Sequence, residues 1–143
     1  MPSFSFVTSV LLVFLGSACL GFGCSRTVAA AGQTGVFTAA QADAGRTAYR
    51  THCAGCHAAD LGGRDDAPAL AGPDFLKTWG PRTTAQLHDF IRTTMPPDGT
   101  TLTADEYLAV VAHLLERNGA TAGDQSFAAT TAVGIASIVG GRP

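Results

Sequence analysis

The residues best suited to chemistry stand in a row: Cys53-Ala54-Gly55-Cys56-His57. Two thiols with two residues between them, and an imidazole directly after the second, form the C-x-x-C-H pattern of covalent haem attachment. The spacing has a chemical reason. Thiols three positions apart lie on one side of a helical turn, where each can add to one vinyl group of a haem. The imidazole that follows is then held as the proximal ligand of the iron. Ala54 and Gly55 are small enough to let the backbone approach the porphyrin edge.

Three other uses of the same residues compete. A thioredoxin-like dithiol would sit near a βαβ pattern, and the sequence has no convincing strand pattern. A zinc site takes four Cys or His ligands, and no second C-x-x-C pair completes it; His52 could add one more. A plain disulfide would not require His57. Haem attachment uses all three residues.

A second axial ligand must come from elsewhere. Apart from the initiator, Met95 is the one Met in the chain, 38 residues beyond His57. An isolated Met after an amphipathic helix can be simple core filling. Here Pro96 and Pro97 follow it and restrict the backbone to an extended course suited to presenting a thioether. Met95 is therefore the expected ligand. His88, beside Leu87 and near Asp89, reads as solvated. His113 falls off the apolar stripe of its helix and reads as a surface residue.

Three helices must position these groups. Thr38 with Gln41 forms a capping box opening a helix from Ala39 to about Arg50. Thr83 with Gln86 opens a second, carrying Leu87, Phe90 and Ile91 and stopping before Met95. Thr103 with Glu106 opens the third, striped by Tyr107, Val110, Val111, Leu114 and Leu115 and closed by Asn118-Gly119. Residues 58–80 are rich in Gly, Pro and Asp and read as a long loop of the kind that serves a site. The expected fold is all-α, with three main helices and a long loop around one haem.

The chain has 143 residues and a net charge of −2. That length suits one domain, and the charge excludes a basic nucleic-acid binder. Residues 1–31 carry a single charge, Arg26, and an apolar run at 10–22 of signal-peptide length. Three fates are open to this leader: cleavage near residues 29–31, lipidation at Cys24 or Cys19, or retention as an anchor. Each delivers the domain to the periplasm or another extracytoplasmic space, free or membrane-tethered through Cys24. Residues 32–37 read as a linker, 38–119 as the domain, and 120–143 as an extension that wraps the domain or lies disordered. The domain keeps just Cys53 and Cys56, so a covalent porphyrin, not a disulfide framework, must supply its apolar centre.

Residues 38–119 resemble the small mono-haem class I cytochromes c, most of all the cytochrome c domains associated with quinoprotein (PQQ-dependent) dehydrogenases. The residues carrying the resemblance are Cys53-Ala54-Gly55-Cys56-His57, Ala67-Pro68-Ala69-Leu70-Ala71-Gly72, Met95-Pro96 and the ending Glu106-Tyr107…Leu114…Asn118-Gly119. The resemblance implies that Gly45 and Tyr49 pack across the last helix near Tyr107 and Leu114. It implies that the Pro68 carbonyl accepts the second imidazole N–H of His57, which fixes the ring. Leu70, Phe75 and Phe90 would line the haem pocket, with Trp79 and Arg82 as candidates for the propionates.

The expected function is one-electron transfer by an iron held between His57 and Met95, without bond chemistry on a substrate. A dedicated haem subunit of a periplasmic or membrane dehydrogenase is the alternative within electron transfer. An open-iron enzyme or gas sensor, or a plain metal-binding module, are those outside it. Partners would be a redox donor and acceptor, such as a quinoprotein dehydrogenase or a terminal oxidase, met by a monomer. Lys77 is the one lysine after the leader, so docking should depend little on a lysine-rich face.

Overall fold

A computed structural model describes residues 35–139. The leader with its cysteines, half of the expected linker (residues 32–34), and residues 140–143 lie outside them. Among the described residues six helices follow in order: α1 (Ala39–His52), α2 (Ala54–His57), α3 (Pro73–Trp79), α4 (Thr84–Thr94), α5 (Ala104–Arg117) and α6 (Ile135–Val139). Among the described residues there is no strand, and no helix is long and apolar enough to cross a membrane.

The three long helices begin where local chemistry dictates. Thr38, Thr83 and Thr103 each accept from a backbone N–H three residues on, and Gln41, Gln86 and Glu106 reach back to the cap N–H. Two otherwise orphaned donors are satisfied at each start. Asn118 caps α5 and does more. Its side chain donates to the carbonyls of Leu114 and Leu70 and accepts from Gly72 N–H, pinning the long loop to the end of α5.

α1 lies against α5, and the crossing point is Gly45. A Cβ there would overlap the Ala109 carbonyl and meet His113 Cβ at 2.9 Å. The contact falls at Ala109 and His113, while Tyr49 joins Tyr107, Val110 and Leu114 in one apolar cluster. A second cluster, on the other side of α5, gathers Phe37, Phe75, Trp79, Leu87, Val111 and Leu115.

That second cluster is closed by residues 120–139. Phe127, Ile135 and Val139 are buried in it. Polar ties hold the segment down: Gln41 donates to and accepts from the Phe127 backbone, at 3.0 and 2.7 Å. Thr84 N–H donates to Val133 O, Ile135 N–H to Arg82 O and Ala136 N–H to Gly80 O. Phe37, expected in a linker, has no exposed surface. The domain therefore begins before residue 38, because that ring fills the space between α1 and the wrapped segment.

Two further expectations are corrected. Residues 58–80 are not loop throughout, since Pro73 at the first turn starts the seven-residue α3. His88 and His113 are not at the surface: they are 6% and 4% exposed. The wrapped segment brings Phe127 edge-on to His88, with centroids 6.3 Å apart. Tyr49 on α1 covers His113 at 5.6 Å. Neither neighbour is near in sequence, so neither helix stripe announced them.

Candidate haem site

Cys53 ends α1 and begins α2, so the two thiols and His57 share a single helical turn. Cys56 and His57 N–H both donate to Cys53 O, which closes that turn. Cys53 is partly buried, Cys56 is exposed, and among the described residues neither is in a disulfide. Burial pushes the Cys53 thiol up to about 11, and the neighbouring Cys56 adds to the rise.

His57 is buried, and its Nδ1 lies 2.9 Å from the Pro68 carbonyl oxygen. With Nδ1 donating there, Nε2 is left with its lone pair for a metal. The loop that carries Pro68 is itself tightly held. Gly63 N–H donates to His57 O, Arg64 and Ala67 exchange backbone hydrogen bonds, and Leu70 N–H donates to Leu61 O. Gly63 has a φ of +79°, and a Cβ there would come within 2.6–2.8 Å of the Ala67–Ala69 backbone. Glycine is needed for the chain to return close enough to set Pro68 against His57.

Tyr49 holds the turn from the other side. Its hydroxyl lies 2.7 Å from Ala58 O and 3.2 Å from His57 O, and shares its proton between them. Burial, then the Cys53 and Asp60 charges, push it up to about 12, so it stays a donor. Sequence reasoning placed Tyr49 as a packing residue and missed this bond; no local signal marks which carbonyls a buried hydroxyl will meet.

Met95 caps the C-terminus of α4 with an extended backbone (φ −126°, ψ 143°) and is partly buried. Its carbonyl accepts from the Tyr107 hydroxyl at 3.1 Å. Met95 lines a cleft of about 300 Å³ with Pro96, Pro97 and Tyr107.

The other expected residues divide. Leu70, like Cys53 and Ala54, is partly buried and packs against the apolar cluster of Tyr49, Leu61, Tyr107 and Leu114. Phe90 is 42% exposed and its ring lies 5.1 Å from Trp79. Trp79 is nearly buried, and the Arg82 guanidinium sits 4.7 Å over its ring. Phe75 is the correction: at 1% exposed it has no surface left to line a pocket. α3 turns it inward into the cluster that the wrapped segment covers.

The donor set fits a covalently held haem. Two thiols on one turn can form two thioethers, and an imidazole oriented through Nδ1 can give Nε2 to iron. Among the described residues, no three His, Cys, Asp or Glu side chains come together as they would in a protein-only metal site.

One comparison with known proteins, with a family model, bears on this site. The family model described as "Cytochrome C oxidase, cbb3-type, subunit III" matches residues 40–114, just over half of the chain and the stretch from α1 through most of α5. Among curated proteins no sequence matches. Among solved structures, the sulfane dehydrogenase SoxCD from Paracoccus pantotrophus is similar, with 25% identity and a TM-score of 0.48. The alignment covers 69% of this chain and 51% of that one, so the chain spans about half of its length. With its attachment turn, its oriented imidazole and a family match over most of the described helices, the protein belongs to this family of c-type cytochrome domains, carries a covalent c-type haem through Cys53 and Cys56, and serves electron transfer.

Proposed function

We propose that the protein is an extracytoplasmic one-electron carrier whose iron is held axially by His57 and Met95. The observation that carries this reading is the His57 imidazole with its Nδ1 committed to Pro68; the extended backbone of Met95 at the end of α4 supports it. Bound haem supplies a ferric/ferrous couple, and a thioether ligand raises its potential. The chain's own part is to hold ligands still. Pro68 fixes the His57 ring, Tyr49 fixes the turn that carries it, and α4 delivers Met95. With both axial positions taken by side chains, no position is left for a substrate, so the reading is a carrier and not an enzyme.

The extracytoplasmic location is supported by the apolar run at residues 10–22, outside the described residues. Its partners are redox proteins. The described domain is acidic and has one lysine, Lys77, which favours brief docking with modest salt dependence over lysine-steered association.

The test is a visible spectrum of haem-loaded protein in the oxidised, reduced, and reduced plus carbon monoxide states. A thioether–iron charge-transfer band in the oxidised form and no response to carbon monoxide are expected. A spectrum that shifts with carbon monoxide would mean an open iron position and turn the reading toward catalysis or sensing.

A further inference from the structure

The segment between α4 and α5 carries Met95 at its start and Leu102 near its end, and one buried atom touches both. The Tyr107 hydroxyl donates to Met95 O at 3.1 Å and accepts from Leu102 N–H at 3.4 Å. Tyr107 is 5% exposed and sits in the first turn of α5, whose start is fixed by the Thr103–Glu106 capping box. Its ring packs among Tyr49, Leu102, Val110 and Leu114.

Little else holds this segment. Residues 97–101 are all exposed, and Pro96 is half-buried. Met95 N–H donates to Ile91 O at 2.9 Å, which ties it to the last turn of α4, a turn that frays readily. The hydroxyl is thus the point at which the rigid α5 reaches the backbone of the expected ligand.

We propose that Tyr107 is a positioning residue whose hydroxyl holds the Met95 backbone so that its thioether stays on the iron. The inference rests on the His57/Met95 reading above. A thioether is a weak ligand for ferric iron and stays bound because the fold keeps its local concentration high. Freed from Tyr107, the Met95 carbonyl turns to water and the segment swings more widely. The ferric form then loses its sulfur more easily to a competitor.

The test uses the full-length haem-loaded protein and imidazole as the competitor. Tyr107→Phe keeps the ring and removes the hydroxyl alone. The thioether charge-transfer band of the ferric protein is followed as imidazole is added. One buried hydrogen bond is worth about a fivefold to tenfold change in an equilibrium constant, so the midpoint should fall by that factor in Tyr107→Phe. Val110→Ala weakens the same apolar cluster but leaves the Tyr107 hydroxyl and its two hydrogen bonds in place, and should lose thermal stability with its midpoint unmoved. An equal midpoint in Tyr107→Phe and wild type, or an equal fall in Val110→Ala, overturns the inference and leaves the ligand reading standing. A wild-type protein without the band, unchanged by Met95→Ala, removes the ligand reading and this inference with it.

Discussion

Gly45 on α1 and Ala109 on α5 meet backbone to backbone, with no room for a single added carbon between Gly45 and the Ala109 carbonyl. Their contact sets how closely the helix that leads into the attachment turn lies on the helix that carries Tyr107. Gly45→Ala must push the helices apart or bend one of them. We expect a loss of about 3 kcal/mol in urea unfolding of the haem-loaded protein, at the upper end for overpacking. An unchanged urea midpoint would show that the helices can separate freely at this point.

The wrapped segment is part of the fold and not an appendage. Phe127 is 2% exposed among Phe37, Leu87 and Val111, and its backbone is held by Gln41. Phe127→Ala should cost about 3–5 kcal/mol, as for other fully buried aromatic rings. Thermal unfolding of the variant checks this, and a loss below 1 kcal/mol would mean that the segment adds little to the core.

Acid should weaken the fold through His113. Burial, with the Arg117, Arg46 and Arg50 charges, holds its pKa down to about 4 from 6.5, and its Nδ1 has no hydrogen-bond partner among the described residues. The unfolded chain takes the proton more readily. Stability is therefore full above about pH 6.5, falls as the pH drops toward 4 and levels off below it. The contribution is at most about 3 kcal/mol. His88, lowered chiefly by burial, acts in the same direction. Asp98 and Glu106, both lowered chiefly by backbone hydrogen bonds, weaken the fold only below their ordinary values of 3.8 and 4.5. Urea midpoints measured from pH 7 to pH 5 should slope in the wild type and be nearly flat in His113→Phe; equal slopes would acquit His113.

Removing both thiols tests what the porphyrin contributes to folding. A domain of this size buries little apolar surface on its own, and Leu70, Ala54 and Cys53 are only partly buried. Cys53→Ala with Cys56→Ala should abolish haem retention and give a chain without native far-UV circular dichroism. Native-like dichroism in the double variant would falsify the idea that the attached haem is needed for folding.

The attachment turn, the three helix starts and the place of Met95 at the end of α4 were all legible in the sequence. Each depends on residues within a few positions of one another. Thr and Gln or Glu three apart satisfy orphaned donors wherever they occur, and a proline after Met95 stops a helix by local clash. The interior was less legible. Phe75, His88 and His113 are buried because of groups distant in the chain: Phe127 beyond α5, and Tyr49 on α1. An apolar stripe shows one buried face, but Ala109 through Leu115 are all buried because α5 is packed from more than one side. The same holds for the hydroxyls of Tyr49 and Tyr107. Composition marks them as aromatic core residues, and only the course of the folded chain, through the attachment turn for Tyr49 and the return of residues 95–102 for Tyr107, decides which carbonyls those hydroxyls reach. Burial and long-range hydrogen bonding are set by the whole packed chain, whereas caps, turns and ligand spacing are set by their neighbours.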